Sequence, residues 1–338
     1  MQQFRAGIIG LGSVSPMHIN SLKAIGVEIA AVCDIRADVA AAKAAELSCA
    51  AFSDYREMLA SDNFNVLHIC LPHYLHAEVS IAALERGCHV LCEKPMATTI
   101  SDAEKMIAAA EKSRATLSIV YQNRFNPGTE LIKEALKSGE LGAVRGGWLR
   151  VTWYRDDTYY ADSDWRGSLT RAGGGVAINQ SIHTFDLMNY FLGNPTMVSA
   201  AIANRAHPSV EVEDMAEGVI TYGDVPISFF VNTYHPYDAP AALEIVCEHG
   251  RATLTGEDAV IIMNDGRKKT AGADIEAQQR FGMKSYWGVS HVKYIQAAYD
   301  AIASGCQPHP SGGDGLVIQR LIDTVYKSAM VGQTIFFA

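Results

Sequence analysis

The chain has 338 residues, of which 49% are hydrophobic and 19% charged, and its formal net charge is −9. This composition is typical of a folded protein of about two domains and argues against widespread disorder. The acidic balance leaves no basic surplus for nucleic acid or anionic lipid. No apolar stretch approaches the ~20 residues that span a bilayer, and the first residues lack a signal-peptide pattern. We therefore expect a cytoplasmic protein with neither nucleic acid nor a membrane as partner.

The seven cysteines are odd in number and form no Cys-x-x-Cys pair. Several lie inside apolar runs that resemble strands, such as Cys33 and Cys70. This pattern indicates buried free thiols in a reducing compartment rather than disulfides or a zinc site.

In the first ~120 residues, short apolar runs alternate with helical segments. The runs are 5–10, 28–33, 65–71, 88–92 and 116–121, and the helical segments are 16–25, 37–47, 77–86 and 101–113. Ser15 is the expected N-cap of the first helix, with Pro16 at its first helical position. The alternation predicts an α/β domain over residues 1–121, with a doubly wound parallel sheet of Rossmann type.

After Tyr121 the pattern changes to short strands separated by Gly, Asp and Pro turns. The predicted strands are 144–154, 198–205, 216–222, 227–233, 242–247 and 251–255, and the predicted helices are 127–138, 177–192, 290–304 and 315–331. This pattern predicts an α+β domain over residues 122–338 with a large, mainly antiparallel, open-faced sheet. The alternative, that the C-terminal helices pack back on the first domain, stays open. Because such an open face is often buried against a second copy, we expect a homodimer or homotetramer.

A glycine-rich turn links the first predicted strand to the first helix. Its sequence, Gly10-Leu11-Gly12-Ser13-Val14-Ser15, is the G-x-G-x-x-G fingerprint with serine in the third glycine's place. Gly10 permits the tight turn, and Gly12 lets a pyrophosphate approach backbone N–H groups at the positive end of the helix. We expect Gly10, Gly12, Ser13 and Val14 to bind a dinucleotide, although an ordinary glycine-rich turn remains the alternative.

Asp34 ends the second predicted strand, about 20 residues beyond Gly12, where a carboxylate accepts hydrogen bonds from the adenosine ribose. Its charge would repel a 2′-phosphate, so the sequence favours NAD over NADP. Arg36 lies close enough to offset part of that repulsion, and Ile35 and Arg36 complete the expected ribose side of the site. An ordinary turn aspartate is the alternative.

Further motifs lie in both halves of the chain. They are Leu-Pro-His-Tyr-Leu-His-Ala at 71–77, Gly-Cys-His-Val-Leu-Cys-Glu-Lys-Pro at 87–95, Gly-Gly-Gly at 173–175, Asn-Gln-Ser-Ile-His-Thr-Phe-Asp at 179–186 and Tyr-Lys-Ser-Ala at 326–329. Together they resemble the glucose–fructose oxidoreductase and inositol dehydrogenase family, the Gfo/Idh/MocA oxidoreductases. The resemblance runs almost from end to end of the chain.

The resemblance implies several roles around the cofactor. Glu93 contacts the ribose on the nicotinamide side, and a cis peptide before Pro95 holds the Lys94 side chain toward the cofactor. The remaining residues implied for the cofactor pocket are Cys70, Leu71, Pro72, His73, His76, Arg124, Trp165 and Arg166. A His-x-x-His pair at 73 and 76 is also compatible with a metal, but no further ligands stand at a useful spacing, so no metal is expected.

By the same resemblance, Lys94 and His183 converge on the reacting oxygen from the two domains. A partly desolvated lysine is suited to act as a base, and a histidine to exchange protons near neutral pH. Many relatives carry aspartate four residues before the histidine, whereas this chain has Asn179. An amide cannot stabilise an imidazolium by charge. We therefore expect Lys94 to carry more of the acid–base work and His183 mainly to position the substrate.

Aromatic and hydrogen-bonding side chains suit stacking against a sugar ring and binding its hydroxyls. Those expected at the substrate are Lys94, Asn123, Tyr154, Trp165, Asn179, His183 and Tyr234. The expected function is hydride transfer between NAD and a secondary alcohol or ketone of a sugar, inositol, sugar acid or glycoside. Two alternatives stay open: an NAD-dependent glycoside hydrolase, and a non-catalytic NAD-sensing regulator, against which the intact Glu93-Lys94-Pro95 and His183 count.

Overall fold

A computed structural model describes residues 4–272 and 290–337 and divides the chain into two compact units. The first unit comprises Met1–Tyr121 and His291–Gln319, and the second comprises Gln122–Ser290 and Arg320–Ala338. The sequence predicted a boundary near Tyr121 and left open that C-terminal helices pack back on the first domain. The late helix His291–Ala303 lies in the first unit, where it buries Tyr294 and Ile295 and packs against the first helix of the chain.

The first unit contains a six-stranded parallel sheet in the order β3-β2-β1-β4-β5-β6, which confirms the predicted Rossmann-type fold. Its strands are β1 Arg5–Ile9, β2 Glu28–Cys33, β3 Ala50–Phe52, β4 Val66–Ile69, β5 His89–Cys92 and β6 Leu117–Ile119. Its first helices are α1 Ser15–Ala24, α2 Ala37–Leu47, α3 Tyr55–Ala60, α4 His76–Glu85 and α5 Ile100–Ser113. The central strands are buried along almost their whole length, as strands of a covered parallel sheet must be.

The strand order reverses between β1 and β4, which are neighbours in the sheet. In sheets of this kind, ligands bind outside the carboxyl ends of the strands at the point of reversal. Backbone hydrogen bonds continue one residue past β4 and β5, from Cys70 N to the Ile9 carbonyl at 2.8 Å and from Glu93 N to the Ile69 carbonyl at 3.0 Å. The residues that follow β1, β2, β4 and β5 therefore share one rigid edge.

Ser15 is not the N-cap of α1, contrary to the sequence prediction. Val14 occupies the cap position with helical backbone angles, and Ser15 is already inside the helix. The Ser15 hydroxyl donates to the Gly12 carbonyl at 2.9 Å instead of accepting from the helix. The side chain therefore tightens the glycine-rich turn rather than capping α1.

The second unit contains a nine-stranded sheet in the order β14-β13-β12-β11-β7-β10-β9-β8-β15. Its strands are β7 Val144–Thr152, β8 Met197–Ala203, β9 Met215–Tyr222, β10 Val225–Asn232, β11 Ala242–Cys247, β12 Gly250–Thr255, β13 Asp258–Met263, β14 Lys268–Ala271 and β15 Ile335–Phe336. All neighbouring pairs are antiparallel except β7 and β10, so the mainly antiparallel sheet is confirmed. The strands β14 and β15 were not predicted, because β14 is polar and exposed and β15 has two residues. The apolar strand β13 was also not predicted.

The remaining helices are α6 Pro127–Lys137, α7 Asp157–Ala161, α8 Leu169–Ala172, α9 Ile182–Leu192, α10 His291–Ala303 and α11 Gly312–Val331. The predicted helix at 177–192 begins only at Ile182. The backbone N–H groups of Gly175 and Ala177 donate to the Glu213 carboxylate at 2.8 and 3.0 Å, which holds the preceding segment outside the helix. Within residues 4–272 and 290–337, no helix is both long and apolar enough to cross a membrane.

Several apolar side chains of the second sheet are exposed, among them Val219 on β9, Phe230 on β10 and Val246 on β11. The strand register places them on one face: Val219 lies opposite Ser228, two residues from Phe230 on β10, and Val246 lies opposite Gly146, two residues from the Trp148 that lies opposite Ser228. The expected homodimer or homotetramer stays a prediction, and this face is where it is expected to form.

The two adjacent glycines of β7 give a matched test of the sheet. A Cβ on Gly147 would lie 2.2 Å from the Glu244 backbone carbonyl, whereas one on Gly146 would lie 3.3 Å from the nearest atom, the Pro226 carbonyl. We expect Gly147→Ala to lower the free energy of unfolding by about 1–3 kcal/mol, because paired backbone must shift. Gly146→Ala is expected to change it by less. Equal loss in the two variants, measured by urea unfolding, would contradict this packing.

Candidate active site

The glycine-rich turn after β1 leaves no space for a side chain at one position and open space at the other. Gly10 has φ +85°, and a Cβ there would lie 2.4 Å from the Cys70 carbonyl oxygen. A Cβ on Gly12 would meet no heavy atom within 4 Å. Ser13 beside it is exposed, and Val14 is half-buried. The open backbone at Gly12, at the start of α1, therefore fits the approach of a dinucleotide pyrophosphate.

Asp34 is buried at the end of β2 and held in a fixed orientation. Its carboxylate accepts from Leu11 N and from Arg36 N, both at 3.0 Å, and from Arg36 Nε at 3.2 Å. Burial opposes ionisation, but the hydrogen bonds from Arg36 and Leu11 outweigh it and lower the pKa of Asp34. The bond to Leu11 ties this carboxylate to the glycine-rich turn. An ionised acceptor here fits the hydroxyls of an adenosine ribose, and Ile35 beside it is 89% exposed.

Glu93, after β5, ends a buried chain of hydrogen bonds that the sequence did not reveal. Its Oε1 lies 3.1 Å from His18 Nε2, and His18 Nδ1 lies 2.8 Å from His68 Nδ1. His68 Nε2 in turn lies 2.9 Å from the Tyr299 hydroxyl. We call Glu93, His18, His68 and Tyr299 the Glu93 chain. All four side chains are buried in the first unit.

The geometry of the Glu93 chain restricts where its protons sit. The pKa of Glu93 is lowered to about 2; burial would raise it, but the hydrogen bond from His18 and the charges of His18, His291 and Lys94 lower it. The ionised carboxylate therefore accepts from His18 Nε2–H. Burial lowers the pKa of His68 well below its usual value and raises that of Tyr299, so both are neutral.

Two sequence signals pointed toward this chain without identifying it. His68 lies in the middle of the apolar run Val66–Ile69, and a polar side chain in a buried strand requires a hydrogen-bond partner. His18 lies on the buried side of α1. Their partnership joins positions 50 residues apart in the sequence, which a local pattern does not indicate.

Lys94 follows Glu93 directly, and its backbone N–H donates to Glu93 Oε2 at 3.3 Å. Desolvation lowers the pKa of Lys94, and the negative charge of Glu93 opposes that shift. The Lys94–Pro95 peptide is cis, as the resemblance implies. His76 holds this segment in place: its Nδ1 lies 2.7 Å from the Pro95 carbonyl and its Nε2 lies 2.8 Å from the Leu71 carbonyl.

The residues predicted after β4 therefore gather at the same edge as Lys94. Cys70 is buried under the glycine turn, and Leu71 and Pro72 are half-buried. His73 is buried, with its ring centroid 5.9 Å from that of His76. The described residues contain no group of three or more His, Cys, Asp or Glu side chains arranged to hold a metal ion.

In the second unit, His183 lies in the first turn of α9 and is half-buried. The glycines that precede α9 are clamped from both sides. A Cβ on Gly174 would lie 2.0 Å from the Tyr326 hydroxyl, and one on Gly175 would lie 1.8 Å from the Glu213 carbonyl oxygen. Tyr326 also donates to Glu213 Oε1 at 2.9 Å. This clamp fixes the segment that carries Asn179 into α9.

Arg124 forms a bidentate ion pair with Asp186 on α9. Its Nε and Nη2 donate to the two carboxylate oxygens at 2.9 and 2.6 Å, and both side chains are almost fully buried. The guanidinium also lies 4.9 Å from the centroid of the Tyr190 ring. Arg124 thus anchors the 3-10 turn Gln122–Phe125, which includes the half-buried Asn123, to the helix of His183. The expected contact of Arg124 with the nicotinamide stays a prediction.

Several predicted substrate residues surround Tyr159 on α7. The Tyr159 hydroxyl accepts from Asn179 Nδ2 at 3.1 Å and from Gln180 Nε2 at 3.2 Å. The Arg166 guanidinium lies 4.5 Å from the centroid of the Tyr159 ring and 5.6 Å from that of Trp165. The structure thus brings Asn179, Trp165 and Arg166 together around Tyr159.

Tyr154 and Tyr234 lie apart from these contacts, as an isolated antiparallel bridge between the segments that follow β7 and β10. Tyr154 is 51% exposed, and Tyr234 is half-buried. Their predicted role in substrate binding is not tested by this arrangement and stays a prediction.

Comparison with known proteins agrees with the architecture. Residues 4–121 match the family model for the oxidoreductase family with an NAD-binding Rossmann fold, and residues 129–253 match that for the GFO/IDH/MocA C-terminal domain. The chain is 26% identical to the uncharacterized oxidoreductase YrbE of Bacillus subtilis, over 99% of this chain and 96% of that one. It is also 26% identical to inositol 2-dehydrogenase of Salmonella typhimurium, over 98% of this chain and 95% of that one.

The crystal structure of the WlbA dehydrogenase from Bordetella pertussis, in complex with NADH and UDP-GlcNAcA, is 27% identical in sequence. It superposes with a TM-score of 0.86 and covers 100% of this chain and 99% of that one. The Rossmann-type fold and the glycine-rich turn at the edge of its sheet therefore define an NAD-binding oxidoreductase. The chain belongs to the Gfo/Idh/MocA oxidoreductase family, as the sequence motifs implied.

The neutral state of His68 predicts a pH dependence of stability. Its folded-state pKa lies well below the ordinary 6.5, so below about pH 6.5 the unfolded chain binds a proton that the folded chain does not. The contribution is fully present above the unfolded pKa and is lost as pH falls, by about 1.4 kcal/mol per pH unit.

We expect His68→Phe to show a shallower fall in unfolding free energy between pH 6.5 and 5 than the wild type, measured by urea unfolding. Tyr299→Phe is the control, because it breaks the same chain without removing a group that titrates in this range. Parallel pH curves for wild type and His68→Phe would contradict the assigned state of His68.

Proposed function

We propose that the protein is an NAD-dependent dehydrogenase or reductase that acts on a secondary CH–OH group of a sugar, inositol or related polyol. The observation that carries the proposal is the single edge formed by Gly10, Gly12, Asp34, Glu93 and Lys94, which joins a dinucleotide cradle to a desolvated lysine. Two relatives support the substrate class, because one is an inositol 2-dehydrogenase and the other, the WlbA dehydrogenase, was crystallised in complex with NADH and UDP-GlcNAcA.

In this proposal, Asp34 binds the adenosine ribose, Gly12 admits the pyrophosphate and Glu93 binds the second ribose. Bound NAD supplies the hydride acceptor. Lys94 takes the proton of the substrate hydroxyl. Desolvation lowers the pKa of Lys94 and so favours its neutral amine, the form that accepts a proton, while the negative charge of Glu93 opposes that shift.

His183 and Asn179 supply the polar contacts of the second unit in the proposed reaction. Both are half-buried, and both are fixed by the glycine clamp of Glu213 and Tyr326. We propose that His183 positions the reacting oxygen by a hydrogen bond. The division of work between Lys94 and His183 rests on Asn179, which adds no charge beside the imidazole.

Inositol 2-dehydrogenase and the WlbA dehydrogenase are both dehydrogenases, so the alternatives of a glycoside hydrolase and a regulator are not favoured. A cytoplasmic location and a homo-oligomeric state remain predictions and are part of the proposal.

The test is NADH absorbance with purified protein, NAD and a panel of inositols, free sugars, sugar acids and glycosides. We expect substrate-dependent NADH formation that Lys94→Arg reduces at least about 100-fold, because a guanidinium keeps the charge but does not accept a proton. NAD binding by calorimetry is expected to survive in Lys94→Arg. Undiminished turnover in Lys94→Arg would refute the role of Lys94. No NADH with any compound, despite NAD binding, would refute the proposed function.

The cofactor preference gives a separate prediction. We expect Asp34→Ser to lower kcat/KM with NAD and raise it with NADP, narrowing the NAD preference about 10- to 100-fold, because the variant loses the ribose acceptor and the repulsion of a 2′-phosphate. Asp38→Asn, at an exposed position in the first turn of α2, is the matched control and should leave the ratio nearly unchanged. An unchanged ratio in Asp34→Ser would contradict the placement of Asp34 at the ribose.

A further inference from the structure

The Tyr159 hydroxyl accepts two hydrogen bonds from residues near the expected substrate site. Two amide groups donate to its oxygen, Asn179 Nδ2 at 3.1 Å and Gln180 Nε2 at 3.2 Å. A tyrosine hydroxyl can accept about two hydrogen bonds and donate one. Both amides belong to neighbouring residues of the clamped segment before α9, so the two donors approach together.

The hydroxyl proton of Tyr159 is therefore the part of its hydrogen-bonding capacity still available. In the part of the chain that the structure describes, the Tyr159 hydroxyl donates to no protein acceptor. The neighbouring Tyr160 differs, because its hydroxyl pairs with the Thr233 hydroxyl at 3.3 Å and its ring is buried. Tyr159 is only half-buried, so its proton can reach a bound molecule.

The surroundings of Tyr159 favour an electron-rich acceptor for that proton. The Arg166 guanidinium lies 4.5 Å from the centroid of its ring, and the Arg155 guanidinium lies 5.3 Å from it. Arg166 Nη1 also donates to the Tyr159 carbonyl at 3.3 Å. Positively charged guanidinium groups beside the ring stabilise negative charge on an oxygen that accepts a hydrogen bond from the hydroxyl.

We propose that the Tyr159 hydroxyl donates a hydrogen bond to an oxygen of the polyol substrate. Asn179 and Gln180 are the positioning residues, because their hydrogen bonds to the phenol oxygen leave its O–H free to point toward the substrate. The inference rests on the proposed function and deepens it, because it adds a substrate-contacting residue and moves Asn179 one step from the substrate. By this hydrogen bond, Tyr159 recognises one hydroxyl or carbonyl oxygen of the substrate.

The chemistry of the side chain at position 179 sets the direction of the hydrogen bond. The amide nitrogen of Asn179 donates to Tyr159, which leaves the phenol proton for the substrate. An ionised aspartate has acceptor oxygens only, so at this position it would accept the hydrogen bond from the Tyr159 hydroxyl in place of the substrate. Asn179→Asp therefore reverses the bond without changing the size of the side chain.

The first test compares Tyr159→Phe with Tyr160→Phe on a substrate that the wild type oxidises. We expect Tyr159→Phe to lower kcat/KM about 10- to 100-fold with NAD affinity and melting temperature unchanged, because one hydrogen bond to substrate is lost. Tyr160→Phe, whose hydroxyl bonds within the protein, is expected to stay within about 2-fold of wild type. We expect a deoxy analogue that lacks the contacted oxygen to have a lower kcat/KM than the full substrate with the wild type, but not with Tyr159→Phe.

The second test is a double-mutant cycle between Tyr159→Phe and Asn179→Asp. We expect Asn179→Asp alone to lower kcat/KM by about as much as Tyr159→Phe, and to add little in the Tyr159→Phe background, because the captured proton is already absent. Additive losses would overturn the action of Asn179 through Tyr159. A kcat/KM for Tyr159→Phe equal to that of Tyr160→Phe would overturn the substrate contact while leaving the proposed function intact, since the wild type still turns over the substrate.

Discussion

Each compact unit is organised around a buried carboxylate that requires hydrogen-bond donors. Burying a carboxylate without donors costs several kcal/mol, so the surrounding chain must supply them. In the first unit, Glu93 accepts a hydrogen bond from His18 and is the terminal residue of the Glu93 chain. In the second, Glu213 receives the backbone N–H groups of Gly175 and Ala177 and the hydroxyl of Tyr326. The residues proposed to act in the reaction follow directly from these anchors.

The pKa values of the two carboxylates shift in opposite directions for a physical reason. Burial raises the pKa of both. At Glu93 the hydrogen bond and charge of His18 outweigh burial and bring the pKa to about 2. At Glu213 burial dominates and the pKa is raised, because its donors are neutral backbone and hydroxyl groups. Glu93 thus supplies a fixed negative charge beside Lys94, whereas Glu213 serves mainly as an acceptor that shapes the glycine segment.

The sequence was sufficient for features that depend on local chain geometry. The turn at Gly10 and Gly12, the carboxylate at Asp34 and the change from parallel to mainly antiparallel sheet each follow from residues close together in the chain. Features that join distant segments were not predicted. The pairing of His18 with His68 spans 50 residues, and that of Arg124 with Asp186 spans 62.

Two errors at helix ends have the same origin. Ser15 had the composition of an N-cap, but its hydroxyl bonds the Gly12 carbonyl within the turn. The segment before α9 had helical composition, but its N–H groups are taken by Glu213, which lies 38 residues from Gly175. In both cases a competing hydrogen bond, invisible to local propensity, decided where the helix begins. The hydroxyl of Tyr159 was likewise indistinguishable from other tyrosines until its two amide donors were seen.

In the proposed reaction, a hydride passes directly from a substrate carbon to NAD on this protein. The most direct measurement uses a substrate of the wild-type enzyme carrying deuterium at the oxidised carbon, with mass spectrometry of the NADH that forms. We expect each NADH to carry one deuterium, and turnover to slow by a primary isotope effect when chemistry limits the rate. NADH without deuterium, with the label released to solvent instead, would contradict direct hydride transfer.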